Sequence, residues 1–415
     1  MQIQQASFAF TLLLGFLAAV PYSGIDINLP ALASTATTLH VHPSDVGLTM
    51  SAFMLSLAAA PLIYGPVSDR AGRKPIVVFG ITLFAFASLA CAFAPSLPVL
   101  LLCRLAQGVG AAASVVTFAI IRDLFDENTG RAKIANVVIA INVATVIAPT
   151  AGAALLILGW RQIYAVQAVI GLILLFVVLL GFAESARIDT GLRLTPSAAF
   201  GSYLRVLKHP ISSAYILVGA AAGATVFAYV TGSSLFFINV VGLRPQQYGL
   251  IFSACSAAVM SGAFLDSRMG RWGISSAQVL MIGLMLLASA SAILLVLTLV
   301  GWTSPPLVAG LLMAVALAFG LSLPNVMNAT MRPLPEIAGA VGAAAGSVQM
   351  TSGAISSAMV AVFFDGHSAV SMTTVMAVSS LLALTTYLLV ARPAERRHRS
   401  EINEPIEPVA SPTHP

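Results

Sequence analysis

The chain has 415 residues, 58% of them hydrophobic and only 8% charged, with a mean hydropathy of +0.95. Soluble globular domains carry about a quarter charged residues, so this composition excludes one and points to a polytopic all-α membrane protein. The formal net charge is +5, from 20 Lys and Arg against 15 Asp and Glu.

Twelve apolar stretches approach or exceed the roughly 20 residues that a spanning helix needs. They cover 8–30, 46–66, 75–94, 98–122, 133–158, 163–183, 211–237, 246–266, 275–301, 305–328, 338–364 and 367–391. No basic residue precedes the first stretch, which holds Asp26 and Pro30. That reads as a retained span and not as a cleaved secretory signal. With the N-terminus in the cytoplasm, every Lys and Arg except Arg104, Arg161 and Arg244 falls in cytoplasmic loops, at cytoplasmic helix ends or in the C-terminal tail. This is the positive-inside asymmetry, and it sets both termini inside. The basic balance therefore reports topology and excludes a nucleic-acid partner.

Asp26 in the first stretch and Arg104 in the fourth are the two ionisable side chains deep within apolar segments. A charge there costs about 2.5 to 3.5 kcal/mol on insertion scales, so such residues point to function. Asp26 stands five residues short of the predicted outer end of its helix and Arg104 six past the outer start of its own. At 1.5 Å per residue both lie roughly 8 to 9 Å below that surface, which predicts a working pair. A change in their separation would load and release a proton, with Asp26 as carrier and Arg104 as its permanently charged modulator.

After the second stretch comes Gly65-Pro66-Val67-Ser68-Asp69-Arg70-Ala71-Gly72-Arg73-Lys74-Pro75. Gly262, Asp266, Gly270 and Arg271 follow the eighth with the same Gly-to-Asp spacing, at an offset of 197 residues. The polar interruption 184–210 divides the chain into two halves, 1–183 and 211–391, and the tail 392–415 is rich in Arg, Glu and Pro and reads as disordered. Duplicated halves in a membrane protein predict a transporter whose site lies between them near the midplane. In the fifth stretch Pro149 predicts a helix bend and Gly152 a close approach across the interface of the halves.

Six side chains are candidates for an adaptable apolar cavity: Tyr22, Phe53, Met54, Phe118, Tyr229 and Phe236. Asn142, Asn239, Asn325 and Gln349 are candidates for its polar lining, because unpaired amides are costly in hydrocarbon. Cys91, Cys103 and Cys255 form no spaced cluster, and His40 and His42 have only Asp45 nearby, so neither a disulfide framework nor a metal site is predicted. There is no phosphate-binding Walker loop. No cofactor is expected.

The Gly65–Pro75 segment resembles the loop between helices 2 and 3 of the major facilitator superfamily. The resemblance implies a twelve-helix fold of two six-helix halves and a gating role for Gly65, Asp69, Arg70, Gly72 and Arg73, with Asp266 as their counterpart. Arg104-Leu105-Ala106-Gln107-Gly108-Val109-Gly110 resembles that superfamily's proton-coupling arginine motif. Asp26-Ile27-Asn28-Leu29-Pro30-Ala31-Leu32 is similar to a segment of the bicyclomycin-resistance (Bcr/CflA-type) drug exporters, as are Ala338-Gly339-Ala340-Val341 and Gln349. Ala148-Pro149-Thr150-Ala151-Gly152-Ala153 resembles the antiporter motif. Together these imply a monomeric, proton-coupled drug antiporter of a bacterial inner membrane, in contact with lipid, and not an enzyme. Because Arg104 at Asp26's depth would cancel its charge, neutral or zwitterionic substrates are expected. A metabolite exporter and a non-transporting membrane sensor are the alternatives.

Overall fold

A computed structural model of the chain describes residues 7–185 and 196–403. Eleven helices among them are long and apolar enough to cross a membrane. They are α1 (Phe8–Leu39), α2 (Pro43–Ala71), α3 (Arg73–Ala92), α4 (Leu97–Leu124), α5 (Asn128–Leu158), α6 (Trp160–Gly181), α7 (Pro210–Val240), α8 (Pro245–Arg271), α9 (Ser276–Val300), α10 (Pro305–Met331) and α12 (Val370–Arg397). Between the last two lies α11, Ala338–Val362, whose 25 residues also suffice for a span. Its Gly, Ala and Ser content lowers its hydropathy, and those small residues suit it to packing between neighbours instead of facing lipid.

The twelve helices repeat one packing scheme. In the first half α1 packs on α5, α2 on α4, and α3 on α4 and α6; in the second α7 packs on α11, α8 on α10, and α9 on α10 and α12. Each pair becomes its partner when six is added to both helix numbers. The contacts between halves, α2 with α11 and α5 with α8, obey the same exchange. Large apolar side chains such as Ile173, Phe176 and Leu180 of α6 and Met285, Ile293 and Val296 of α9 stand exposed, as a lipid-facing surface requires.

Three features depart from the sequence expectation. The first helix does not stop at Pro30: it breaks after Asp26, passes through the 3-10 turn Leu29–Ala31 and resumes as Leu32–Leu39. Pro30 lies in the first turn of the resumed segment, where its missing N–H has no helical acceptor to lose. Asp26 is therefore 13 residues, and not five, from the end of its span, about 20 Å along a continuous helix at 1.5 Å per residue. The linker contains a helix, Pro196–Lys208, although its Arg187, Asp189 and Arg193 lie outside the described residues. The start of the expected disordered tail, Arg392–Asn403, continues the last helix and is tied back where Glu395 accepts from Tyr215 Oη at 2.9 Å.

Small residues set the helix spacing. A methyl group on Gly110 of α4 would strike Phe84 N of α3 and come within 2.7 Å of Gly80 O, both backbone atoms. Gly110→Ala is expected to cost about 1 to 3 kcal/mol through the forced separation of α3 and α4. The measurement is the thermal midpoint of the monodisperse detergent-solubilised protein, and an unchanged midpoint would contradict this packing.

Candidate functional site

Arg104 is 0% exposed, yet among the described residues its guanidinium meets no carboxylate. Nη1 donates to Gly24 O of α1 at 3.1 Å and to Gln107 Oε1 at 2.6 Å, and Nε donates to Thr49 O of α2 at 3.4 Å. Nη2 rests against Met50 Sδ at 3.7 Å, and the Phe53 ring lies 4.2 Å from the guanidinium carbon. Gln107 passes the network on, donating through Nε2 to Ser88 Oγ of α3 and Gln167 Oε1 of α6, each at 2.7 Å. One cation is thus held by carbonyl and amide oxygens and a π face, and its network reaches five helices of the first half. Gly108 and Gly110 give the closeness this requires, Gly108 facing Phe53 O of α2 and Gly110 facing α3.

Asp26 is buried, 6% exposed, at the α1 break. Among the described residues its carboxyl group has no hydrogen bond and no ion pair, and the expected contact with Arg104 is not made. The bond from Arg104 to Gly24 O, two residues away, does put the two side chains at neighbouring levels. The nearby charge-sensitive groups are instead phenols: Tyr22 on α1, and Tyr229 and Tyr248 of the second half, all within electrostatic range of Asp26. Tyr229 and Tyr248 both pack on Phe252, with ring centroids 5.9 and 6.0 Å away. The acid therefore lies at the seam between the halves.

That seam is closed at the end away from the basic loops. Ser234 Oγ of α7 donates to Leu29 O in the α1 break at 2.6 Å, Thr150 Oγ1 of α5 meets Ser253 Oγ of α8 at 2.7 Å, and Gln246 Nε2 donates to Ala153 O at 3.2 Å. Ser234 is followed by a π-helical turn, Leu235–Val240. The glycine of the expected cross-half approach is misassigned by the sequence. Gly152 lies against Ile27 O of α1 in its own half, whereas Gly249 of α8 lies against Pro149 O, a methyl there coming to 3.0 Å.

Several expected cavity residues are committed elsewhere. Phe53 and Phe236 are buried, one on Arg104 and the other against Phe237 at 5.2 Å, and Met54 packs on Gly353 of α11. Asn325 is drawn to the basic end, where Nδ2 donates to Asp266 Oδ1 at 2.7 Å. It braces Asp266 and does not line the seam. Gln349 packs on Gly223 of α7, Asn239 lies in the π-helical turn, and Asn142 is partly buried on α5. Tyr22, at 40% exposure, and Phe118 keep accessible rings.

At the basic end Arg73 is buried and bonds Asp69 and Ser68 through Nη1 and Asp123 Oδ2 through Nε at 2.8 Å. Gly72, at φ +96°, starts α3 without a capping side chain. Glu184, from the end of α6, supplies the cap: its oxygens accept from Arg73 N at 2.8 Å and Lys74 N at 3.1 Å. Only glycine fits, since a methyl on Gly72 would meet Glu184 Oε2 at 2.5 Å. Gly65 lies near Tyr203 of the linker helix, and Arg70 is exposed. The second-half copy is simpler, because Arg271 is exposed and Asp266 takes Asn325 in place of an arginine.

Twelve helices in two pseudo-symmetric halves, with ionisable groups buried near the seam, define a transporter of the multi-pass membrane class and not an enzyme. The family model described as Major Facilitator Superfamily matches residues 11–361, and the chain belongs to that superfamily. The chain is similar to an uncharacterized MFS-type transporter, YdgK, of Bacillus subtilis, 30% identical and covering 90% of this chain and 93% of that one. It is similar to a bicyclomycin resistance protein homolog of Haemophilus influenzae, 26% identical over 96% of this chain and 100% of that one. With multidrug resistance protein D of Escherichia coli it shares 27% identity over 83% and 86% of the respective chains. Among solved structures, a bacterial homolog of the human lysosomal transporter Spinster has the same fold, with TM-score 0.72 at 15% identity over 98% and 99% of the two chains.

Asp123 and Glu184 escape a motif reading because neither adjoins the loop they hold in sequence. Only the antiparallel return of α4 and α6 brings them there. Glu184→Ala is expected to lower stability by about 1 kcal/mol, the usual worth of a helix cap, with Glu184→Gln recovering part of it. The check is a thermal midpoint for both variants, and equal midpoints with the parent would contradict the capping role.

Proposed function

We propose that the chain is a proton-coupled exporter of small amphipathic compounds, a drug:proton antiporter that works by alternating access between its halves. The observation that carries this reading is Asp26, a buried carboxyl group without hydrogen bond or ion pair among the described residues, beside a helix break at the seam. Low dielectric penalises its ionised form, so the acid is stable when it holds a proton or faces a cation. A proton and a cationic substrate group therefore compete for it, which is the coupling an antiporter needs. For a neutral substrate the same competition requires that it bind the carrier after Asp26 has given up its proton.

The expectation that neutral or zwitterionic compounds are preferred rested on Arg104 cancelling Asp26. With the guanidinium bonded to Gly24 O and walled by Phe53, that premise has no contact behind it, and cations join the proposed substrate range. Arg104 serves as a fixed neighbouring charge whose distance from Asp26 changes as α1 moves. The relatives named for bicyclomycin and multidrug resistance support export of drugs. The basic loops support cytoplasmic termini in a bacterial inner membrane, and the two-half fold supports a monomer as the working unit.

In proteoliposomes Asp26→Asn should abolish uphill accumulation driven by a pH step while leaving the protein folded and able to bind a lipophilic cation or a neutral phenicol-type drug more weakly or equally. Persistent uphill accumulation in that variant would remove Asp26 from the coupling. The Arg73 contacts with Asp69 and Asp123 support a gate at the basic end. Asp69→Asn should therefore slow turnover several-fold with little change in KM, measured as initial rates of drug transport; a changed KM at normal turnover would contradict the gate.

A further inference from the structure

The linker helix Pro196–Lys208 belongs by packing to the second half. Val206 is fully buried in an apolar cluster with Ile216 of α7, Leu334, and Val341 and Ala344 of α11, and Arg205 pairs with Glu336 at 2.8 Å. From this helix Tyr203 reaches the first half. Tyr203 Oη donates to Leu62 O of α2 at 3.3 Å.

That acceptor exists for a covalent reason. Leu62 stands four residues before Pro66, which has no N–H, so the helical ladder cannot satisfy this carbonyl. A backbone carbonyl deprived of its helical donor needs another, and the phenol supplies it. Burial and the Asp69 carboxylate push the Tyr203 phenol up, which keeps it protonated and able to donate. In the second-half copy Ala263 replaces Pro66 and retains its N–H, so the equivalent carbonyl keeps its helical donor.

We propose that Tyr203 is a latch that straps the linker helix, and with it the second half, to the basic end of α2, limiting how far the halves part there. The proposal rests on alternating access between the halves, but not on Asp26 or on the identity of the substrate. It gives Pro66 a role inside the gating segment: creating the acceptor on which the strap closes.

The test uses spin labels at the exposed basic-end positions Asn128 and Arg271, in the full-length protein with Cys91, Cys103 and Cys255 replaced by alanine. Tyr203→Phe keeps the ring and removes the hydroxyl. It should raise the ratio of wide to narrow label distances about fivefold, the factor set by one neutral hydrogen bond of ordinary net worth. Pro66→Ala returns the N–H to position 66, satisfies Leu62 O within the helix and leaves Tyr203 without its acceptor. It should widen the distances as Tyr203→Phe does, and the double variant should add nothing further. Turnover should fall in each with KM unchanged, because a wider opening must close in every cycle. Unchanged distances in Tyr203→Phe, or additive shifts in the double variant, would overturn the latch. A protein that transports no drug yet shows the non-additive distance shifts would count against the proposed function alone.

Discussion

The first half is organised around one buried guanidinium. Among the described residues Arg104 has no counter-ion within bonding distance, so its charge must be solvated by the protein itself. Desolvating such a group is tolerable only when oxygens converge on it from several sides. That demand dictates the local geometry: α1 must offer Gly24 O, α2 must offer Thr49 O and the Phe53 face, and Gln107 must be oriented by Ser88 and Gln167. The glycines follow from the same demand. Gly24 lets α1 lie on the Phe53 ring, and Gly108 and Gly110 let α4 approach α2 and α3. Five helices are tied to one charge.

The seam between the halves holds the buried acid. Asp26 sits there, at the end of the first segment of α1, just beyond the Gly24 carbonyl that Arg104 holds. The break after it exposes Leu29 O to Ser234 of α7, where the partner helix has its own irregularity, the π-helical turn. Two irregular segments thus face each other across the halves. Departures from α-helical hydrogen bonding leave groups free to bond across the interface, and here such a group closes the end away from the basic loops.

The two halves share a packing scheme but not their loop chemistry. The first-half loop has a buried arginine between two carboxylates and an α3 start capped by Glu184. The second-half copy has an amide on its acid and an exposed Arg271. Arginine–carboxylate bonds carry charge on both partners and the Asn325–Asp266 bond on one, so the loops are unequal partners in a symmetric frame.

Hydropathy, charge asymmetry and the spacing of glycines and acids were enough to read an all-α fold of membrane-spanning helices, the repeated glycine-and-acid loop, and Asp26 and Arg104 as the two charges set deep in apolar segments. These properties are local or periodic, and a bilayer enforces them segment by segment. What the sequence could not show is which atoms meet. It suggested an Asp26–Arg104 pair because both are rare charges at similar depth, yet side-chain direction turned the arginine to Gly24 O. It put Gly152 at the half interface, where α8 presents Gly249 instead, and it offered Asn325 to the cavity when Asp266 was the partner within reach. Asp123, Glu184 and Tyr203 acquire their places through contacts 50 to 141 residues away along the chain. Such contacts depend on helix rotation and on the antiparallel return of distant segments, and those are decided by tertiary packing alone.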